Sequence, residues 1–146
     1  MDQIEQPDEI TIRYAESDDD AIAIHQLLLV LGPTQARAPI DAIAGLHEIL
    51  RVIAQEVALM AIRNGHLVGT MGIVKSSYWY APSHSFLCDR WQFILPQFQN
   101  YGVGEMLMAE AEGIADASDL EFINYGKVRG KRRLMMFPRV IEKQRA

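Results

Sequence analysis

An α/β (α+β) fold, with a sheet flanked by helices in the order β-α-α-β-β-β-α-β, is predicted for this 146-residue chain by three observations. Apolar residues recur at helical spacing in the first third, change to short extended runs in the middle, and return to helical spacing near residue 103. An Asn64-Gly65 pair separates two of the extended runs. The composition, 49% hydrophobic and 23% charged, is that of a chain able to bury a core.

Ile10–Tyr14 alternates β-branched residues and reads as the first strand. Ser17 precedes Asp18, Asp19 and Asp20, so its hydroxyl can cap a helix whose first turn carries the favoured negative charge. Ile24, Leu27, Leu28 and Leu31 continue that helix, and Gly32-Pro33 is expected to end it. Ile43, Leu46, Leu50 and Ile53 mark a second amphipathic helix. Residues 57–62 and 67–74 are strands joined by a type I′ turn at Asn64-Gly65, and both of their faces are apolar, as in a sheet covered on both sides. Residues 75–85 are expected to be a loop, 86–95 a strand, 96–101 a short connection, Val103–Ala117 a helix with Val103, Leu107, Ala111 and Ile114 on one stripe, and 120–125 the last strand.

The length fits one domain over residues 1–146. Net charge is −5, unevenly placed: residues 1–126 sum to −12 and residues 127–146 to +7, a basic tail on an acidic body. That body argues against a domain built around nucleic-acid phosphate, and the tail offers only Phe137 for base stacking. A lone Cys88 forms no internal disulfide, no run approaches a membrane span, and the acidic start lacks the layout of a secretory signal; a cytoplasmic setting is expected.

The segment from Ile94 to Gly104 runs from strand into helix with glycines at 102 and 104. Unpaired N–H groups and a partial positive charge suit such a junction to phosphate. A phosphate loop of the Walker type needs Lys after its second Gly, where Glu105 stands, and a dinucleotide fingerprint needs a small residue at Leu107. With both rejected, Gln99, Gly102 and Gly104, preceded by Ile94 and Pro96, resemble the acyl-CoA loop of the GNAT superfamily of N-acetyltransferases. The element order over residues 10–125 is similar to that family as well.

The resemblance implies a mixed, mostly antiparallel central sheet and an enzyme that transfers acetyl from acetyl-CoA to a primary amine of a small molecule or protein. It implies that backbone N–H groups of Gln99, Asn100, Tyr101, Gly102, Val103 and Gly104 hold the pyrophosphate, and that Phe93, Ile94 and Leu95 pair with the pantetheine arm. The loop lacks Arg or Lys at 99–101 and Glu105 adds a carboxylate, so the basic tail is the expected source of countercharge. Asp89 is the candidate base; strict alternation puts it on the face of Leu87, Trp91 and Phe93, where apolar neighbours would raise its pKa. Tyr125 is the nearest candidate acid. Tyr78, Trp79, Tyr80 and His84 are candidates for the acceptor side. No metal is expected: His47 and Glu48 begin a zinc-helix pattern, but Arg51 stands at the second ligand position. The twenty-residue tail is too short for the family's usual ending, so a homodimer completing the sheet is expected. The competing reading is a non-catalytic acyl-CoA-binding or protein-interaction module on the same fold.

Overall fold

The computed structural model describes residues 9–125; the basic tail, the expected source of countercharge for the loop, lies outside the described residues. The elements are β1 (Ile10–Tyr14), α1 (Asp18–Gln35), α2 (Ala42–Gln55), β2 (Val57–Arg63), β3 (His66–Tyr78), β4 (Ala81–Ile94), a 3-10 turn (Pro96–Phe98), α3 (Val103–Ala117) and β5 (Phe122–Ile123). This is the expected order. The strands form one sheet, β1-β2-β3-β4-β5, antiparallel through β4, with β5 parallel to β4.

Alternation along β2 builds two cores. Leu59 and Ala61 join Met71, Ile73, Val103 and Leu107 under α3, whereas Ala58 and Met60 join Ile24, Ile49 and Val52 under α1 and α2. Leu107 is fully buried, so truncating it to Ala costs about 2–5 kcal/mol.

At the start of α1 the expected cap is in place. Ser17 Oγ accepts from the Asp20 N–H and the Asp20 carboxylate reaches back to the Ser17 N–H, a reciprocal capping box. Asp20 also takes two bonds from Arg13, at 2.8 and 3.0 Å, which tie β1 to the helix. The far end departs from expectation, because α1 continues through Gly32-Pro33 to Gln35. Pro33 removes one N–H, but the helix continues past it to its C-cap, where the Ala36 N–H donates to the Gly32 carbonyl at 2.8 Å. Gly32 does not serve as a left-handed cap. A Cβ there would come within 2.6 Å of Ile40, so the glycine lets the returning chain pack against the helix.

The expected loop at 75–85 is instead the tip of a long hairpin, with β3 running to Tyr78 and β4 starting at Ala81. Aromatic packing extends it: the Tyr78 ring lies 4.6 Å from Phe86 and 5.4 Å from Tyr80. Pro82, with no N–H to give the ladder, falls in a register break, since Ser77 pairs with Ser85 but Tyr78 with Ala81.

A second break matters more. Gly72 pairs with Trp91 but Ile73 with Asp89, which makes Arg90 a bulge residue. The bulge inverts the strand. Asp89 keeps the face of Leu87, as expected, but Trp91 and Phe93 turn to the α1/α2 face, and Gln92 and Ile94 take the α3 face. Gly72 permits this, because a Cβ there would lie 2.5 Å from the Trp91 ring. The indole N–H donates to Thr70 Oγ1 at 3.1 Å, and that hydroxyl donates to the Leu59 carbonyl.

β5 is shorter than expected, two residues rather than six. The chain first closes α3 with a Schellman turn: Asp119 is left-handed (φ 58°), its N–H donates to the Asp116 carbonyl, and the Leu120 N–H donates to Ala115. Strand pairing starts only after that.

Candidate functional site

Two features of the fold leave an open groove beside β4. β5 pairs with β4 only at Leu87↔Phe122 and Cys88↔Ile123, while β4 runs on to Ile94. The α3 N-terminus then lies across the strand end. The space between has a volume of about 520 Å³ and is walled by Gln92 and Ile94 of β4, Gln99 of the connection, Gly104 and Met108 of α3, and Asn124 beyond β5. Asn124 Nδ2 lies 2.9 Å from Met108 Sδ, which links the β5 side to the helix.

The mouth of α3 is built for close approach. Gly102 is its N-cap in the left-handed region (φ 77°), where a side chain would be strained, and no side chain caps the helix. The first-turn N–H groups of Val103, Gly104 and Glu105 therefore have no partner within the helix. A Cβ at Gly104 would touch Ile94 Cδ1 at 3.4 Å and Gln92 at 3.5 Å, filling the groove rather than clashing with backbone. Within the connection, the Gln99 N–H is taken by Pro96 and the Tyr101 N–H by Phe98, so these two amides hold the turn. The charge near the loop is mixed. Glu105 adds a carboxylate to the groove wall, and Arg63, at the end of β2, places its guanidinium 5.0 Å from the Phe98 ring centre and 5.5 Å from Tyr101.

Where β4 and β5 part, polar groups converge. Asp89 is buried, and its carboxylate accepts a hydrogen bond from the Tyr125 N–H. Tyr125 is half-buried with its ring edge-on to Phe86 at 6.3 Å. Burial pushes its phenol above the ordinary value, and the nearby Cys88 and Asp89 add to the rise. The Cys88 thiol, itself buried, is pushed up first by burial and then by Asp89.

Comparison with protein-family models gives no match, and neither does comparison with curated proteins. Solved structures do match. A protein from Clostridium acetobutylicum described as a predicted acetyltransferase, solved with acetyl-CoA, superposes with a TM-score of 0.67 at 12% identity, over 80% of each chain. An aminoglycoside antibiotic 6'-N-acetyltransferase from Acinetobacter baumannii gives 0.63 at 16% identity, over 80% of this chain and 78% of that one. A GNAT family acetyltransferase from Staphylococcus aureus gives 0.60 at 16%, over 79% and 84%. The chain has the GNAT fold.

On the GNAT fold the loop residues come together as a unit, with Gln99 and Gly104 on the groove and Gly102 at its helix mouth. The three strand-end residues do not act alike. Ile94 lines the groove, Phe93 faces the opposite side, and the Leu95 N–H is spent on the Val68 carbonyl at 2.9 Å. Asp89 and Tyr125 are joined by a hydrogen bond, whereas Trp79, Tyr80 and His84 sit at or beside the hairpin tip, at the other end of β4 from the loop. Trp79 and Tyr80 are 80% and 67% exposed and pack edge-on to each other. Tyr78 donates to Glu121 at 2.8 Å, a bond that pushes its phenol up to about 12.

Sequence reasoning missed Arg63, Gln92 and Gln35, whose side-chain amide donates to the Ile94 carbonyl at 3.1 Å. Gln92 reaches the groove only through the bulge at which Gly72, across the sheet, admits the Trp91 ring, a pairing the sequence does not mark. The other two depend on long-range packing and carry no local mark.

Proposed function

We propose that this chain is an N-acetyltransferase that moves the acetyl group of acetyl-CoA to a primary amine of a small molecule or protein. The observation that carries the reading is the groove: an uncapped helix N-terminus with a left-handed glycine, opening onto a strand that has parted from its neighbour. The N–H groups of Gly102, Val103 and Gly104 suit a pyrophosphate, and the channel along Ile94 and Gln92 suits an extended pantetheine arm. Gln99, Asn100 and Tyr101 shape the turn that presents those amides, with Phe93 and Leu95 fixing the strand end on its other side.

In this reading the thioester lies where β4 and β5 part. The acceptor nitrogen loses its extra proton to Asp89 or to water and attacks the carbonyl carbon; the C–N bond forms and the C–S bond breaks. The departing thiolate takes a proton from Tyr125, and the second proton that the nitrogen sheds on becoming an amide returns to that phenolate through water. A phenol held above its ordinary pKa stays protonated at neutral pH, as a donor must. Tyr78, Trp79, Tyr80 and His84 are left to flank the acceptor side or a second subunit. A homodimer remains our proposal, tested by solution mass at micromolar concentration.

Calorimetry with acetyl-CoA beside free CoA tests the reading, with Gly104→Leu as the variant. Gly102→Glu would add backbone strain of about 1–2 kcal/mol, whereas Gly104 is helical and a Cβ there meets only the side chains of Ile94 and Gln92. The expected result is measurable affinity in the native chain and a loss of about tenfold or more in the variant, with the melting temperature little changed. No binding at millimolar ligand would overturn the reading. Thiol release with an amine panel then separates an enzyme from a binding module.

A further inference from the structure

On the opposite face of β4, α1, α2 and the strand enclose a second cavity of about 220 Å³. Its walls are apolar: Ile24 and Leu28 of α1, Ile49 of α2, and Trp91 and Phe93 of β4. Glu48 and Arg90 stand on its solvent side. The bulge at Arg90 is what turns Trp91 and Phe93 inward here while it turns Gln92 and Ile94 to the groove. One short segment thus walls both cavities. That segment lies past the last β4–β5 pair, so among the described residues no strand flanks its outer edge, and at its end Gln35 takes the Ile94 carbonyl.

The chemistry of the cavity is selective. At about 30 Å³ per water it has room for about seven waters, enough for a branched or aromatic side chain and too little for a multi-ring sugar. Polycations have no carboxylate to bind, because Glu48 is already held by Arg51 through two bonds, at 2.8 and 3.0 Å, and by Arg90 Nε at 2.9 Å. Arg90 spends only its Nε on that shared carboxylate. Its two Nη groups make no hydrogen bond among the described residues, and the side chain is 55% exposed. An apolar slot beside a guanidinium with donors to spare fits a molecule that carries an apolar body and a carboxylate.

We propose that the acceptor is a free α-amino acid with a branched or aromatic side chain. The side chain fills the cavity, the carboxylate rests on Arg90, and the α-amine, one bond from the same carbon, is left at the open edge of β4. This rests on the acetyl-transfer reading above and names its substrate class.

The test compares L-phenylalanine with L-phenylalaninamide, which differs only in lacking the carboxylate, and with kanamycin as a polycation. In the native chain kcat/KM is expected to favour the acid over the amide by about tenfold or more, with kanamycin poorest. Arg90→Gln should collapse that ratio toward one, and Arg90→Lys should restore it only in part, because an ammonium lacks the planar fork. Leu28→Trp, which fills the cavity, should abolish calorimetric binding of L-phenylalanine while CoA binding persists. An acid-to-amide ratio near one in the native chain, a ratio unmoved by Arg90→Gln, or preference for kanamycin would overturn the proposal. CoA affinity without affinity for any apolar amino acid would overturn this inference alone; absence of CoA affinity would overturn the reading beneath it.

Discussion

Asp89 has two duties that one substitution cannot separate and two can. Its carboxylate holds the Tyr125 N–H, and it is our candidate base. Asparagine at 89 keeps an oxygen able to accept that N–H but cannot take a proton, whereas alanine loses both. If Asp89 is the base, Asp89→Asn lowers kcat by about 10²–10⁴-fold with a near-native melting temperature. If it only positions Tyr125, Asn is near-native in rate and Ala is impaired; steady-state kinetics on both variants decides. Asp20 offers a pH test at the same scale. Arg13 holds its carboxyl well below the usual carboxylate range, with the backbone N–H groups of Glu16 and Ser17 assisting against burial. A depressed carboxylate contributes stability in full above its unfolded pKa, about 3.9, and loses that contribution as pH falls through the folded value. Asp20→Asn should therefore cost about 1–3 kcal/mol in urea unfolding at pH 7, and the gap should narrow progressively as pH falls below about 4.

At the scale of elements, the turn after α3 carries a correctable strain. Asp119 occupies the left-handed position of the Schellman motif, where glycine is the usual residue. Asp119→Gly should stabilise the chain by about 0.5–1 kcal/mol, read as a rise in urea midpoint; a fall would mean that the Asp119 side chain contributes to the cap. Local chemistry of this kind is what made most elements legible. Ser17 announced α1, and Asn64-Gly65, with φ 53° and 77°, announced the hairpin. Two of the misjudged boundaries depended on side chains outside the segment itself. Pro33 stays inside α1 because Ile40 packs on Gly32, and residues 75–85 are extended because Tyr78 meets Phe86 and Glu121. The same division holds in the candidate site. The glycine loop could be read from spacing, while the bulge that deals Trp91, Gln92 and Phe93 to different faces depends on Gly72 across the sheet.

Over the whole molecule, a sheet packed on both faces opens where β4 parts from β5, and residues of β4 beyond that point wall both cavities. A ligand lodged there touches β4, the connection and α3 together, so it should stabilise the entire cooperative unit rather than a single loop. Ligand bound to the folded state alone contributes RT ln(1 + [L]/Kd), about 2.7 kcal/mol at a hundredfold excess over Kd. For a chain of this size, 1 kcal/mol moves the melting temperature by about 2–4 °C or somewhat more. Acetyl-CoA at a hundred times its Kd should then raise the midpoint by about 5–10 °C, and Gly104→Leu, at a tenfold or greater loss of affinity, should show about half that rise or less at the same concentration. The charge of the groove sets a second dependence. Glu105 opposes the phosphates and Arg63 lies beside the loop, so the shift should change with ionic strength, growing with salt if the carboxylate dominates and shrinking if the guanidinium does. Calorimetric scans at 50 and 500 mM salt distinguish the two, and we expect the shift to shrink, because the helix N-terminus adds its partial positive charge to that of Arg63.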